Sequence, residues 1–250
     1  PAHRTLDLDR RPWWHRASLE GTPKLDDPKL RSFRAEQSRT PAQTDEQLRH
    51  LIANYYGMIS LIDHNVGRIL LEIERLGIAD RTLVVYSTDH GDWLGDHGLL
   101  LKGPMMYEGL LRVGCIMQGP GIAKGKVVAD PVSTLDLPAT FYDYAGVSMP
   151  NALNSRSVRP LVDGTGSRDF AFNEWDLNAS RCGVALQLRT VRTQTHKLTL
   201  ELNSGAGELY DLANDPTEMD NRFGDPAKSA VQKELTDMIH SRPRDARDPP

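Results

Sequence analysis

A chain of 250 residues, 39% hydrophobic and 26% charged, is long enough to bury a sizeable core as one large domain or as one domain with a small appendage. Its formal net charge of −4 offers no basic excess for nucleic acid, and no apolar run approaches the length of a membrane span. Two cysteines, Cys115 and Cys182, are too few for a disulfide framework, and Cys115 in the apolar run VGCIM reads as buried core. The chain begins at Pro1 with neither a methionine nor a signal-like apolar region, so it reads as a piece of a longer product; a soluble protein is expected, with cytoplasm and periplasm both open.

Residues 1–43 are rich in Pro, Arg, Asp and Trp with no sustained period, as expected of a connection running over a surface. Trp13, Trp14 and His15 lie there, either lining a substrate pocket or packing a surface loop, and the second reading is the more economical. From Thr44 to Gly77 the apolar residues Leu48, Ile52, Tyr55, Ile59, Ile62, Val66, Ile69, Ile73 and Leu76 step by four and three, which predicts one long helix with a single apolar stripe. Thr44 and Gln47 form a capping-box pattern and Gly77 supplies the stop. Asp63 and His64 within this helix diverge by about 100° and cannot converge on one ion, so they belong to a solvated face.

Thr82 to Tyr86 is β-branched and aromatic without alternation, which predicts a strand buried on both faces of a helix-covered sheet. It ends on Asp89, His90 and Gly91, at the strand terminus where open α/β sheets collect their ligands. An oxygen donor beside a nitrogen donor suits a divalent cation such as Ca²⁺, Mg²⁺ or Mn²⁺, with Gly91 permitting the turn that converges them. On the dipeptide alone, a turn cap and a satisfied loop histidine fit equally well. Asp92, Gly95, Asp96, His97, Gly98, Lys102 and Gly103 then fill a loop too polar for core.

Beyond the loop, Pro104 to Leu110 predicts a short helix, Arg112 to Gln118 a second buried strand, and Val127 to Ala129 a further pairing segment. Ser133 or Thr134 caps a helix running to about Ala145. From Gly164 the pattern changes to strands at hairpin spacing, Phe170 to Glu174, Ala185 to Val191, Lys197 to Leu202 and Glu208 to Leu212, followed by a helix from about Ala227 to Ile239. Asp211, Asp215, Glu218 and Asp220 lack the spacing of an EF-hand and read as turn caps. Asn178-Ala179-Ser180 is a glycosylation sequon.

Thr88-Asp89-His90-Gly91, Gly95-Asp96-His97-Gly98, Lys102 and Tyr107-Glu108 with Arg112-Val113 together resemble the sulfatase branch of the alkaline-phosphatase-like superfamily. The segments VSTLDLPATFYDYAG, VRTQTHKL and GELYDLANDPTEMDNRF extend the resemblance over most of the chain, roughly residues 44–222. It implies an α/β fold with a mixed, mostly parallel sheet flanked by helices over residues 1–163, and a small antiparallel sheet with a terminal helix over residues 164–250. It implies Asp89 and His90 as ligands of a divalent metal, Ca²⁺ first with Mn²⁺ or Mg²⁺ as alternatives. Lys102 is implied as a sulfate contact and His97, less directly, in a catalytic or leaving-group role. His3 or His15 corresponds loosely to a leaving-group histidine in the family.

The implied activity is hydrolysis of a small-molecule sulfate ester by a formylglycine nucleophile. The chain lacks the nucleophile's sequence context at Cys115 and Cys182, and Ser157-Val158-Arg159-Pro160-Leu161 matches a structural segment instead, so the nucleophile is expected on an N-terminal part outside this chain. Arg112-Val113-Gly114 stands where the family has Arg-Val-Pro. The thirteen-residue spacing from Asp89 to Lys102 is close to the phosphonate monoester hydrolase and choline-sulfatase-like branch, which makes a phosphonate or phosphate ester hydrolase the near alternative. A non-catalytic fragment or scaffold is the remaining alternative, a homo-oligomer is open for any of these readings, and an isolated piece of such a fold is expected to expose apolar surface.

Overall fold

The computed structural model describes residues 7–20, 29, 43–150, 154–178 and 184–243. His3, Cys182, and Ala179 and Ser180 of the sequon lie outside the described residues. Helix α1 (Trp13–Glu20) interrupts the stretch expected to be loop. Eight residues are too few to show a period in the sequence, and the helix is fixed from outside by Trp14, which is fully buried against Met106, Leu186 and Leu188.

Helix α2 (Asp45–Arg75) has the predicted start, with the Thr44 hydroxyl accepting from the Gln47 N–H and the Gln47 side chain accepting from the Thr44 N–H. Gly77 follows it at φ 65°, a left-handed conformation that glycine adopts without penalty. Among its described residues only Leu48 is buried. The rest of the stripe is half-buried or exposed, and Met58, Leu61 and Leu71 expose apolar surface on other sides of the helix. Asp63 and His64 both face solvent.

Strands β1 (Val84–Ser87) and β2 (Cys115–Gln118) pair antiparallel, Val84 opposite Gln118 and Ser87 opposite Cys115. Parallel pairing does not occur among the described residues. The connection between these strands holds a 3₁₀ turn at Asp96–Gly98 and the four-residue helix α3 (Glu108–Leu111), without the long helix that usually carries a parallel crossover. The expected double burial does not occur either, since β1 is half-buried throughout and β2 is exposed except at Met117, Cys115 included. A two-stranded ribbon offers neither face a complete second layer. Residues 127–129 form no strand, and Val127 is 87% exposed.

Helix α4 (Leu137–Ala145) follows a 3₁₀ turn whose Ser133 cap is completed by Asp136. Asp136 is buried and ion-paired with Arg168, and it also accepts from the Arg156 N–H at 3.1 Å. Helix α5 (Arg159–Asp163) is the segment containing Pro160-Leu161, with the Ser157 hydroxyl donating to Asp143 at 2.6 Å.

Strands β3 (Phe170–Leu177), β4 (Leu186–Thr193), β5 (His196–Glu201) and β6 (Gly207–Asp211) form an antiparallel meander in that order. Alternation sorts their side chains onto two faces. Val191, Leu198, Leu200 and Leu209 pack against Leu235 and Ile239 of helix α6 (Ser229–Ser241). The opposite face carries Leu188, Lys197, Thr199, Glu208 and Tyr210, a polar set that is nonetheless buried beneath α1 and the segment 93–110. That segment contains the loop singled out in the sequence.

Candidate active site

Asp89 and His90 emerge at the end of β1, and the turn after them lies directly on α3. The Gly91 N–H donates to the Leu110 carbonyl at 2.8 Å. A Cβ at Gly91 would sit 2.0 Å from the Gly109 carbonyl oxygen, so glycine is required here by close approach of two backbones. Asp92 then ties the loop shut, its Oδ1 accepting from the N–H groups of Leu94 at 2.8 Å and Leu101 at 3.0 Å. Within that closure Leu94, His97 and Leu101 hold φ of 50°, 54° and 64°, conformations that non-glycine residues adopt only where the surroundings over-determine them.

The closure returns the chain at Lys102 to His90. Lys102 Nζ donates to His90 Nε2 at 2.7 Å. His90 Nδ1 lies 2.7 Å from the Gly91 carbonyl, which can only accept, so the proton sits on Nδ1 and Nε2 presents a lone pair. Asp89 Oδ2 stands 3.4 Å from that same Nε2. A hydrogen bond from the His90 backbone N–H holds the Asp89 carboxyl below its usual range. A carboxylate oxygen and an imidazole lone pair thus face one another across a gap that only a cation can fill favourably.

The donor set fits a divalent ion in kind, one hard oxygen and one imidazole nitrogen with its tautomer fixed from behind. It is incomplete in number: among the described residues no three His, Cys, Asp or Glu side chains converge as a metal site. The Asp89 side chain is 85% exposed and that of His90 34%, so the pair opens outward from the described structure.

His97 lies elsewhere. It is buried, and its ring stacks on Tyr107 with centroids 3.7 Å apart and planes 8° from parallel. Burial, and then the Arg11 guanidinium, push its pKa down to about 3, so the imidazole is neutral at pH 7. His15 is also buried rather than aimed into a pocket, with Nε2 2.7 Å from Glu208 Oε1. Trp14 Nε1 donates to the Pro104 carbonyl at 3.2 Å, and Trp13, 44% exposed, donates to the Ser204 hydroxyl at 3.1 Å. These three residues anchor α1 to the sheet instead of lining a cavity.

The residues that hold the loop in place give little sign of that role in the sequence. Glu218, read as a turn cap, is 2% exposed, and its Oε2 accepts from the Glu108 N–H at 2.6 Å at the start of α3. Lys197 pairs with both Glu218 and Glu108, and Arg192 lies 3.6 Å from Glu108. Arg11 donates to the Tyr210 hydroxyl at 2.5 Å and to the Glu218 carbonyl at 2.8 Å. The alternation of charged and apolar residues in β5 and β6 was a signal, but an alternating strand ordinarily turns its polar face to water.

Comparison with known proteins decides the family. The sulfatase family signature covers residues 21–147, and that of the N-sulphoglucosamine sulphohydrolase C-terminal region covers residues 95–245. The chain belongs to the sulfatase family. It is 28% identical to an N-acetylglucosamine-6-O-sulfatase of Bacteroides thetaiotaomicron over 227 residues, 88% of this chain and 40% of that protein. The structure of a 2-O GAG sulfatase superposes with a TM-score of 0.79 at 26% identity over 94% of this chain and 49% of that one. A phosphonate monoester hydrolase of Agrobacterium radiobacter superposes with a TM-score of 0.71 at 27% identity over 90% and 48%. The sulfatase-like chain therefore spans about half the length of the relatives it matches, and they have the α/β fold of the alkaline-phosphatase-like superfamily.

Proposed function

We propose that this chain is the C-terminal part of a metal-dependent sulfatase that hydrolyses sulfate esters, with sulfated sugars as the substrate class. The observation that carries the reading is the convergence of Asp89 Oδ2 and Lys102 Nζ on His90 Nε2, at 3.4 and 2.7 Å. The sugar assignment draws on the names of the N-acetylglucosamine-6-O-sulfatase and 2-O GAG sulfatase relatives.

Asp89 and His90 would supply two ligands of a divalent ion, Ca²⁺ in the first instance, and the remaining ligands and a formylglycine nucleophile would come from sequence outside this chain. When bound, such an ion neutralises charge on the sulfate oxygens. The chain's own residues do the rest. His90 keeps its proton on Nδ1 against the Gly91 carbonyl, leaving Nε2 for coordination. Asp89, already favoured as the carboxylate, needs no proton removed before it binds a cation. Lys102, released from Nε2, turns its ammonium toward the ester's bridging oxygen and stabilises the negative charge that builds there as the alcohol leaves.

Removing Lys102 tests the assignment. In the complete enzyme Lys102→Ala lowers kcat/KM for p-nitrophenyl sulfate by on the order of 10²-fold, the usual cost of losing one charge-stabilising donor. A loss within three-fold would refute the role of Lys102. The structural likeness to a phosphonate monoester hydrolase supports a second reading, hydrolysis of phosphonate esters by the same residues. Faster turnover of a phenyl phosphonate monoester than of the sulfate would favour it, and no turnover of either by the metal-loaded wild type would leave a scaffold.

A further inference from the structure

The ion cluster of buried Glu218 and Lys197 with half-buried Glu108 and Arg192 lies outside the catalytic constellation and joins two parts of the molecule that have no sequence proximity. Lys197 and Arg192 are cross-strand partners on the polar face of β4 and β5. Glu218 is held at φ 58° in the turn after β6, its backbone carbonyl bonded by Arg11. Its two carboxylate oxygens serve different partners, Oε1 paired with the Lys197 ammonium and Oε2 accepting from the Glu108 N–H. Glu108 returns its own side chain to Lys197 at 3.4 Å.

The consequences run through α3 in one direction. With its first residue fixed by Glu218, the four-residue helix presents the Leu110 carbonyl to Gly91, and Gly91 follows directly on His90. The Gly91 backbone is wedged against Gly109 so closely that a shift of α3 must be passed to the turn. Trp93, Tyr107 and Leu110 pack with Tyr210 of β6 in one apolar cluster beside this route, so the sheet, α3 and the loop form a continuous solid contact.

We propose that Glu218 is a positioning residue for the site: held in the turn after β6 by Arg11 on its carbonyl, it commits a side-chain oxygen to the Glu108 N–H, fixes α3 and thereby sets where Asp89 and His90 stand relative to Lys102. This rests on the sulfatase reading of the site for its effect on turnover but not for its effect on structure. A buried carboxylate that only balanced the Lys197 charge would serve equally well anywhere in the cluster. Here it also commits an acceptor to the backbone of the helix that carries the turn, and a displacement of about 1 Å at reacting groups costs on the order of 10²-fold in rate.

The test uses the complete enzyme with two variants, Glu218→Leu and the near-isosteric double Glu218→Gln with Lys197→Met. The double variant keeps an acceptor for the Glu108 N–H and removes the charge that needed balancing. Hydrogen exchange followed by mass spectrometry reads peptides spanning 88–112 against those of β4 and β5, and turnover of p-nitrophenyl sulfate is separated into kcat and KM. Glu218→Leu is expected to speed exchange over 88–112 at least ten-fold with β4 and β5 unchanged, and to lower kcat at least ten-fold with KM within three-fold. The double variant is expected to recover at least half of the protection.

Exchange that rises equally in the sheet, or a double variant no better than Glu218→Leu, would show a general stabilising role and overturn the proposal. So would freed exchange at 88–112 with kcat untouched. A wild type that turns over no ester would defeat the sulfatase reading, and the exchange measurement would still decide whether Glu218 holds the turn.

Discussion

Replacing Glu208 by Gln removes the charge from a fully enclosed carboxylate and should be among the costliest conservative changes in the chain. Its carboxylate is 2% exposed, lies 2.7 Å from His15 Nε2 and accepts from the Tyr210 hydroxyl at 2.5 Å, with Arg11 completing the surroundings through that hydroxyl. Burial alone would push the carboxyl up. The charge and hydrogen bond of His15, then Tyr210 and Arg11, outweigh it and pull the pKa down from 4.5 to about 2. At about 1.4 kcal/mol for each tenfold change in proton affinity, that descent corresponds to about 3 kcal/mol. Breaking a buried pair by removing one partner typically costs about 3–5 kcal/mol, which agrees. Urea unfolding at pH 7 should show Glu208→Gln less stable by about 3 kcal/mol, equivalent to a Tm lower by about 10 °C for a chain of this size. Because the folded pKa is depressed, the wild type's advantage is complete above pH 4.5 and vanishes as the pH falls through about 2, while the Gln variant has no such titration. A deficit below about 1 kcal/mol at pH 7, or one that persists unchanged at about pH 2.5, would refute the account.

Two further changes probe the loop itself. His97 is neutral in the fold, with its pKa at about 3, and protonates near 6.5 when unfolded, so it withdraws up to about 1.4 kcal/mol of stability per pH unit as the pH falls below 6.5. His97→Phe keeps the stack on Tyr107 and should flatten the stability profile between about pH 6.5 and 5, above the range where Glu208 titrates; an unchanged slope in urea titrations would contradict this. Gly91→Ala must move either the turn or α3, because its Cβ would meet the Gly109 oxygen at 2.0 Å. The variant should lose about 2 kcal/mol or more in the same assay and lower sulfate-ester turnover with it.

The sequence exposed those features whose cause is local. The α2 cap is a side-chain exchange across three residues, and the four strands of the meander alternate within hairpin distance, so both were predictable without any tertiary partner. The meeting of Asp89, His90 and Lys102, the residues proposed for the site, has a related local cause, since they sit within one loop and the same loop closes on itself through Asp92. What could not be read depends on contacts between distant positions: Arg11 with Tyr210, His15 with Glu208, Glu108 with Glu218. Each of these residues is polar, and a polar residue in a short strand or turn is ordinarily solvated, so its burial could not be inferred from its neighbours. The helix α1 was hidden for the same reason, being too short to have a period and held in place by a tryptophan whose partners lie far along the chain, at Pro104, Met106, Leu186 and Leu188.

The two halves of the described structure differ in a way that bears on the reaction. Across β4 to β6 both faces are covered, and buried polar side chains such as Glu208, Lys197 and Thr199 are paired. Around β1, β2 and α2, apolar residues such as Ile59, Ile62, Ile69 and Ile116 stand 45–66% exposed. A helix apolar on more than one side is ordinarily a buried helix, and an exposed apolar area of this extent ordinarily marks a contact surface. Asp89 and His90 open outward at the end of β1, on this less covered half, with a carboxylate oxygen and an imidazole lone pair that call for a cation and further ligands. The incompletely covered ribbon and the outward-opening pair of donors therefore lie on the same half of the structure. Both agree with a chain that spans about half of its relatives' length.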